Sequence, residues 1–235
     1  MTPATLSNPE HDPLLAAAKA LDTASLSDAL DSLGLPAGLA GIRPQTGGAR
    51  CAGYAYTVLY EPVETEAGGG GFRNAADYID DVPAGAVIVS SNPGRTDCTT
   101  WGDILTQMAA LKGIAGTVID GAARDIETVR ALGYPLFSRA VFMRSGKNRV
   151  QLRATQVPVA IDGTIVAPGD LVVGDANGCV VVPRGQAREV LRRAAAVEAT
   201  ENRILAAIRS GVSLAQARKL NRYDQPWIVP SASQN

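Results

Sequence analysis

The chain has 235 residues, 46% of them hydrophobic, a size and composition that can bury a sizeable core. Its formal net charge of −1, without a Lys/Arg cluster, gives no reason to expect a nucleic-acid partner. No apolar run approaches the length of a membrane span and the N-terminal segment is polar, so we expect a cytoplasmic protein with no membrane partner.

The first fifty residues predict an N-terminal arm, two helices and an irregular crossing. The arm and the first helix occupy residues 1–20, with the helix from Pro13 to Ala20. Ser25 to Asp28 has a capping-box arrangement and begins a second helix that Gly34 ends. Residues 35–50 are rich in Gly and Pro, which favours irregular structure.

Two strands are predicted before the central part of the chain. Cys51 to Tyr60 alternates aromatic and small residues, and Ala86 to Ser90 is an apolar run typical of a buried strand. Between them, Gly68 to Gly71 follows Glu66-Ala67 and predicts a flexible loop, with a mobile lid as the alternative. It is not a P-loop, because no Lys-Ser/Thr pair follows it. Asn92 to Thr100 is predicted to be a polar loop.

The stretch from Trp101 to Gly133 predicts a helix, a strand, a tight turn and a second helix. Gly113 ends the first helix as a left-handed cap would. The residues that recur there at helical spacing are Ile104, Leu105, Met108 and Leu111. Thr117 to Asp120 is a β-branched run between glycines, which predicts a buried strand, and Asp125 begins the second helix.

The remainder predicts a strand-rich region, a long helix and a tail. The predicted strands are Leu136 to Phe142, Val150 to Ala154, Val157 to Ile161, Thr164 to Ala167, Leu171 to Gly174 and Cys179 to Pro183. Asp162-Gly163 is a strong hairpin signal. A helix is predicted over Gly185 to Gly211, and residues 212–235 form a C-terminal tail. We interpret residues 1–235 as a single α/β domain.

The types of reactive side chain in the sequence limit the kinds of catalytic site that it can form. The one histidine, His11, falls in the N-terminal arm, which excludes a Ser-His-Asp or Cys-His site and a His-bearing zinc site. Three scattered cysteines, Cys51, Cys98 and Cys179, suit a reduced protein better than a disulfide framework. Catalysis would have to use carboxylates, Arg, Lys, Tyr or backbone N–H groups, with or without a hard metal ion.

Asp103 and the pair Arg124-Asp125 both fall at helix starts that follow strands. Such starts attract anions, and ligands of open α/β folds gather beyond the carboxyl ends of the strands. An arginine can grip a carboxylate at two points, and two acids can hold a hard divalent cation. The alternative is that both Asp residues are helix caps and Arg124 is a surface ion-pair partner. Asp120 precedes Gly121 and favours a turn, with a supporting role behind a metal ligand as the alternative.

One acid interrupts the apolar stripe of the long C-terminal helix. The stripe consists of Val190, Ala194, Val197, Glu201, Ile204 and Ile208. An acid on that face either meets a polar site or destabilises the fold. The alternative is that Glu201 extends to solvent at the edge of a surface helix.

The central motif resembles a known family. Asp103, then twenty residues, then Arg124-Asp125 matches the D/E-x20-R-D motif of the class II pyruvate aldolases in the RraA-like family. The short sequence motifs around it are similar too: GD-x-L at 102–105, G-x-x-G at 113–116 and V-x-D-G-x-x-R-D at 118–125. The PGD turn at 168–170 and the D-x-x-G turn at 175–178 extend the resemblance over residues 20 to 212.

The resemblance implies the swivelling β/β/α fold, with N-terminal helices and a C-terminal helix. It implies a metal-dependent lyase that cleaves a 4-hydroxy-2-oxo acid to pyruvate and a second oxo acid, with oxaloacetate decarboxylation as a side activity. Mg²⁺ or Mn²⁺ would be held by Asp125, and Arg124 would stabilise the enolate of pyruvate and orient it. Asp103 would serve in acid/base transfer, and the N–H groups from Gly102 through Asp103 and Ile104 to Leu105 would bind the substrate carboxylate.

The resemblance also implies a homotrimer or a homohexamer. In those aldolases a C-terminal glutamate reaches the neighbouring active site; Glu201 is our choice for it, with Glu198 as the alternative. The competing function is that of RraA itself, an inhibitor that binds ribonuclease E and departs from the acidic motif position. A related lyase or decarboxylase acting on another oxo acid is a third possibility.

Overall fold

The computed structural model describes residues 12–63 and 77–228 as a mixed α/β fold. Its helices are α1 (Pro13–Ala20), α2 (Thr23–Asp31), α3 (Asp103–Leu111), α4 (Ile126–Ala131), α5 (Ala187–Arg209) and α6 (Leu214–Leu220). Its strands are β1 (Arg43–Pro44), β2 (Cys51–Pro62), β3 (Val87–Trp101), β4 (Gly116–Ala123), β5 (Leu136–Val141), β6 (Val150–Thr155), β7 (Val159–Ile161), β8 (Thr164–Val166), β9 (Leu171–Asp175) and β10 (Gly178–Val182). The predicted α/β class is confirmed, whereas His11, Glu66 and the loop Gly68 to Gly71 lie outside the described residues.

The main sheet has a parallel centre and antiparallel flanks. Its strand order is β1-β5-β4-β3-β2-β9-β10, and β6 pairs with β2 off this path. The four strands β2, β3, β4 and β5 are parallel to one another, while β1, β6, β9 and β10 are paired antiparallel. Helices α3 and α4 make the crossovers from β3 to β4 and from β4 to β5, as parallel pairing requires. The carboxyl ends of these three strands therefore lie at one edge of the sheet.

Buried apolar residues cover both faces of this sheet. One cluster, which includes Trp101, Leu105, Ile119 and Tyr134, packs under α3 and α4. A second fills the space between the N-terminal helices, α5 and strands β9 and β10. No helix among the described residues is long and apolar enough to cross a membrane.

Several boundaries predicted from the sequence are confirmed. Helix α1 has the predicted bounds, and the six strands predicted after residue 135 are present with ends shifted by at most two residues. The predicted Asp162-Gly163 hairpin joins β7 to β8, with φ values of 51° and 78° that a type I′ turn requires. In α5 the predicted stripe is buried at Val190, and Glu201 on it is half-buried.

The second helix begins earlier than predicted. Asp22, not Ser25, is its N-cap, because the Asp22 carboxylate accepts a hydrogen bond from the Ser25 N–H at 2.7 Å. Ser25 itself is buried inside the first turn of α2. Asp22 and Ser25 are both residue types that favour the N-cap position, so the local sequence does not distinguish them. Packing of the helix against the rest of the fold decides which of the two caps it.

The predicted polar loop from Asn92 to Thr100 is wrong. The chain stays paired with β4 up to Trp101, but the register shifts after Ser91, after Arg95 and after Thr99. These irregularities take up the extra residues of β3 as bulges, which increase the local twist and disrupt strict alternation. The polar, Gly- and Pro-containing sequence therefore marks a bulged strand end.

The predicted apolar face of α3 is only partly right. Leu105 is buried, but Ile104 and Leu111 are 77% and 85% exposed. The buried face instead passes through Thr106 and Ala109, both fully buried. Thr106 is not part of the face predicted from the sequence, because its side chain carries a hydroxyl.

The turn after β9 is tied to the start of α2 by one carboxylate. Asp175 accepts hydrogen bonds from the Thr23 N–H at 2.9 Å, the Thr23 hydroxyl at 2.7 Å and the Asn177 N–H at 2.8 Å. Burial acts to raise the pKa of Asp175, but these hydrogen bonds to the charged form outweigh it and the pKa lies below its usual value.

This depressed pKa predicts how stability depends on pH. A carboxylate whose pKa is lower in the folded state stabilises the fold above its unfolded pKa of about 3.9, and that contribution is lost as the pH falls through the folded pKa. Asp175→Asn should lower the free energy of unfolding by about 1–3 kcal/mol near pH 7. The difference from the parent protein should shrink below about pH 4. Urea unfolding between pH 3 and pH 7 measures it.

The matched control is Glu127→Gln, at an exposed carboxylate on α4. It should change the free energy of unfolding by no more than about 0.5 kcal/mol at any of these pH values. A pH-independent difference between Asp175→Asn and the parent would contradict the assigned role of the carboxylate.

Candidate functional site

Two strand ends bring the predicted site residues together. Trp101, the last residue of β3, is in register with Ala123, the last residue of β4. The N–H of Arg124 donates to the carbonyl of Trp101 at 3.1 Å and closes this end of the sheet. Asp103 begins α3 one residue beyond Gly102, and Asp125 immediately precedes α4. The sheet thus places the two halves of the D-x20-R-D motif side by side.

The side chain of Asp125 caps the neighbouring helix α3 and not α4, which Asp125 begins. It occupies the N-cap position of α4, but its side chain makes no capping hydrogen bond there. Its Oδ2 atom accepts a hydrogen bond from the Asp103 N–H, the first of α3, at 3.0 Å. The backbone of Asp125 is left-handed, with φ of 57° and ψ of 41°, which is uncommon for a residue other than glycine. Asp125 is therefore a helix cap, as the alternative interpretation had it, but its side chain caps α3 and not the helix that it begins.

Arg124 lies beside this carboxylate and is partly open to solvent. Its Nε is 3.4 Å from Oδ2 of Asp125, and the two side chains are 34% and 35% exposed. Within the described residues, neither terminal nitrogen of the guanidinium has a hydrogen-bond partner. An ion pair this exposed contributes little to stability, so the terminal nitrogens remain available to an anionic ligand.

Gly102 allows the carboxylate to approach the backbone. A Cβ atom built on Gly102 would lie 2.7 Å from Oδ2 of Asp125 and 3.3 Å from Nε of Arg124. Any larger residue would displace the pair, so the glycine shapes the site through the absence of a side chain. From the sequence, Gly102 is predicted only as a backbone donor, and this steric role is not.

The N–H groups at the start of α3 are not all available to a substrate. The Asp103 N–H is taken by Asp125, which corrects the prediction that it binds the substrate carboxylate. The N–H groups of Ile104 and Leu105 lie in the same first turn, whose orphan donors have no partner inside the helix. The side chain of Asp103 is half-buried next to them.

The donor set suits a hard cation that keeps most of its water. Among residues 12–63 and 77–228 no group of three or more His, Cys, Asp or Glu side chains is arranged to hold a metal ion. Asp125 nevertheless offers a carboxylate that is a third exposed and fixed on one oxygen by the Asp103 N–H. Mg²⁺ and Mn²⁺ bind through one or two carboxylates together with waters and substrate oxygens, so the residues present fit such an ion.

The two candidate glutamates do not reach this site within one chain. Helix α5 packs against α1, α2 and α6. Glu198 accepts a hydrogen bond from the Asp22 N–H at 3.2 Å and so supports the start of α2. Glu201 has no described contact with Arg124 or Asp125. Burial, and then the negative charges of Asp22, Asp28 and Glu198, raise the pKa of Glu201.

Asp120 is a strand residue with a structural role. It is 4% exposed inside β4, forms an ion pair with Arg139 of β5 and accepts a hydrogen bond from the Gly94 N–H at 3.1 Å. The prediction of a turn at Asp120 is therefore wrong. An arginine in the next strand was the one sequence signal that could have indicated this pairing.

Sequence comparisons identify the family to which the chain belongs. A family model described as RraA-like, Aldolase/RraA, matches residues 23–181. The chain is 45% identical over 207 residues to Protein DlpA of Legionella pneumophila, covering 88% of this chain and 33% of DlpA. It is 34% identical over 215 residues to a Halalkalibacterium halodurans protein named "Putative 4-hydroxy-4-methyl-2-oxoglutarate aldolase", covering 91% of this chain and 94% of that one. The chain thus spans about a third of the length of DlpA and nearly all of the second relative.

Solved structures share the fold. A crystal structure of an uncharacterized protein from Pseudomonas syringae has 56% sequence identity and a TM-score of 0.81, covering 93% of this chain and all of that one. RraAS2 of Streptomyces coelicolor, described as an unusual member of the RNase ES inhibitor RraA protein family, has 30% identity and a TM-score of 0.74, covering 84% and 98%. The resemblance and the fold that it implied are confirmed. The chain belongs to the RraA-like family.

Proposed function

We propose that this chain is a divalent-metal-dependent lyase that cleaves a 4-hydroxy-2-oxo acid to pyruvate and a second oxo acid by retro-aldol chemistry. The observation that supports it best is the Arg124–Asp125 pair, 3.4 Å apart, a third exposed and held against the start of α3. The aldolase name of the Halalkalibacterium relative supports the same chemistry.

Asp125 is the residue that would hold Mg²⁺ or Mn²⁺. When bound there, the cation supplies a fixed positive charge that polarises the 2-oxo group of the substrate. The left-handed backbone of Asp125 and the Asp103 N–H fix the carboxylate before any ligand arrives. Such fixed groups do not have to reorganise during the reaction.

Arg124 binds the anionic end of the substrate and stabilises the charge that develops. Cleavage breaks the C3–C4 bond, and its electron pair moves onto the C2 oxygen as the enolate of pyruvate. The enolate oxygen carries more negative charge than the ketone oxygen, so a guanidinium beside it stabilises the transition state more than the ground state. Oxaloacetate gives the same enolate when it loses carbon dioxide, so decarboxylation should accompany the aldolase activity.

Asp103 carries the proton that the reaction moves. A base must remove the proton of the 4-hydroxyl as the C4 carbonyl forms, and an acid must protonate C3 of the enolate to complete pyruvate. Asp103 follows Gly102 directly, and its own N–H donates to the Asp125 carboxylate, so its side chain begins beside the Arg124–Asp125 pair. We assign it this acid/base role.

The competing proposal is a regulator without catalysis. RraAS2 is described as belonging to the RNase ES inhibitor family and shares the fold. Asp103, Arg124 and Asp125 are all kept in this chain, and their arrangement favours an enzyme. A lyase or decarboxylase acting on a different oxo acid would use the same residues and would differ in the substrate that a panel assay identifies.

Removal of the metal tests the proposal directly. Pyruvate release from a panel of 4-hydroxy-2-oxo acids should stop in EDTA and return with Mg²⁺ or Mn²⁺, because the site offers only hard oxygen ligands. Asp125→Asn should abolish metal-dependent turnover without unfolding the protein, since asparagine also tolerates a left-handed backbone. The matched control Asp81→Asn, at an exposed acid on another part of the fold, should keep full activity. Undiminished turnover in thoroughly chelated protein would contradict the proposal.

Arg124→Lys separates a transition-state contact from a simple substrate clamp. Lysine keeps the charge but loses the planar two-point geometry of the guanidinium. We expect kcat to fall about a hundred- to a thousandfold while KM changes less, with oxaloacetate decarboxylation falling in parallel. The control is Arg130→Lys on α4, where the arginine is exposed and its Nε donates to the Gln45 carbonyl. A change in KM alone would reassign Arg124 to substrate binding.

We also propose a homotrimer or homohexamer in which Glu201 completes the site of a neighbouring subunit. A half-buried acid on the apolar stripe of α5, with its pKa raised by burial and by the acids around it, is costly unless a polar site receives it.

Mixed oligomers test the shared site. Arg124→Ala and Glu201→Gln subunits, each inactive alone, should regain activity when dissociated and reassembled together, because some sites then combine two intact residues. A chain with both substitutions, mixed with the parent protein, provides the control for subunit exchange. Light scattering should show a trimer or hexamer. A monomer at micromolar concentration, or no regain of activity in proven mixed oligomers, would contradict the assignment.

A further inference from the structure

A buried chain of hydrogen bonds leads from the core to the Asp125 carboxylate. The Trp101 Nε1–H donates to the Thr106 hydroxyl at 2.9 Å, and that hydroxyl lies 2.8 Å from the Gly102 carbonyl oxygen. The Gly102–Asp103 peptide continues the chain, because its N–H donates to Oδ2 of Asp125 at 3.0 Å. Trp101 and Thr106 are 2% and 0% exposed.

The direction of this chain is fixed by the chemistry of its members. An indole Nε1 can only donate, so the Thr106 hydroxyl must accept from Trp101. Its single proton is then left for the Gly102 carbonyl, which can only accept. The orientation of the hydroxyl is therefore unique, and the carbonyl receives two donors, since the Thr106 N–H also reaches it at 3.0 Å.

The peptide transmits this polarisation to the site. A trans peptide holds its C=O and N–H in one plane on opposite sides, so fixing the Gly102 oxygen also fixes the Asp103 N–H. Hydrogen bonds in series strengthen one another in a medium of low dielectric. Two donors on the Gly102 carbonyl therefore make the Asp103 N–H a better donor to the carboxylate that would bind the metal.

The Trp101 indole, where this chain of hydrogen bonds begins, is held rigidly. The Trp101 ring stacks on Tyr134 with centroids 6.0 Å apart and an interplanar angle of 12°. The Tyr134 hydroxyl and the Thr117 hydroxyl lie 2.8 Å apart, and both residues are buried. The indole thus has little freedom to move its N–H away from Thr106.

A threonine bonded to the carbonyl four residues back is common in helices and by itself indicates nothing. Here that carbonyl belongs to the N-cap Gly102, which has no side chain to cap the helix. The N–H of the Gly102–Asp103 peptide is also the only hydrogen-bond donor to the Asp125 carboxylate among the described residues. The hydroxyl therefore acts on the one peptide that holds the candidate metal ligand.

We propose that Thr106 is a positioning residue: through the Gly102–Asp103 peptide it orients and strengthens the hydrogen bond that fixes Asp125 for the divalent cation. This inference rests on the proposed function for its cation and on the geometry alone for its hydrogen-bond chain. Thr106 touches neither substrate nor metal.

Two measurements test it, one with and one without metal. Thr106→Val removes the hydroxyl at nearly constant volume and should weaken Mn²⁺ binding about ten- to a hundredfold, as the loss of groups that orient metal ligands does. Thr106→Ser should restore parent affinity. In metal-free protein, the amide proton NMR signal of Asp103 should move upfield and exchange faster in Thr106→Val, but not in Thr106→Ser. Trp101→Phe, which leaves the hydroxyl in place, should move the same signal in the same direction by less.

The matched control is Thr57→Val. Thr57 is also 0% exposed, and its hydroxyl donates to a backbone carbonyl, that of Val157, at 2.6 Å. It should destabilise the protein comparably and leave both Mn²⁺ affinity and the Asp103 amide unchanged.

The outcomes separate the two proposals. Parent-like Mn²⁺ affinity and an unmoved Asp103 amide in folded Thr106→Val would overturn the positioning role. A parent protein that binds no Mn²⁺ would overturn the proposed function, and the Asp103 amide would then decide the positioning role alone. If Thr106→Val does not fold, the Asp103 amide of Trp101→Phe decides it: an unmoved signal overturns the chain, and an upfield shift supports it.

Discussion

One hydrogen bond, from the Asp103 N–H to the Asp125 carboxylate, joins the two halves of the candidate site. It exists because β3 and β4 are parallel neighbours whose last residues are in register, so two helices begin at the same edge of the sheet. The first N–H of α3, which has no partner inside the helix, donates to the Asp125 carboxylate, just before α4. The carboxylate can come this close because Gly102 has no side chain. The pairing of β3 with β4 thus determines the geometry of the candidate site.

Local sequence patterns predicted most of the elements because their signals are local. The Asp162-Gly163 hairpin depends on two residues that tolerate positive φ, and both adopt it. The segment from Asn92 to Thr100 could not be predicted in the same way, because its pairing partner lies more than twenty residues away in β4. Its polar composition is compatible with a loop or with a bulged strand, and only the partner decides between them.

The residues of the candidate site could be predicted from the sequence, but most of the contacts between them could not. The spacing of Asp103 from Arg124 and Asp125 placed all three at strand ends, where the structure has them. That Asp125 caps α3 and that Gly102 must lack a side chain depend on a contact across twenty-two residues. The sequence does not predict Thr106 as a buried residue, because it carries a hydroxyl and lies outside the predicted apolar stripe; in the fold that hydroxyl satisfies an indole and a carbonyl.

The backbone conformation of Asp125 supports the proposal that this corner of the fold binds a ligand. A residue that capped its own helix would have an extended backbone, whereas Asp125 is left-handed, a conformation that costs free energy in most residues. Its carboxylate gains one hydrogen bond from α3 and one long, exposed ion pair with Arg124, which together stabilise the fold little. A fold shared with ribonuclease inhibitors does not require such an arrangement. A fixed, half-exposed carboxylate beside a guanidinium with open terminal nitrogens supports the proposal that this site binds a cation and an oxo acid together.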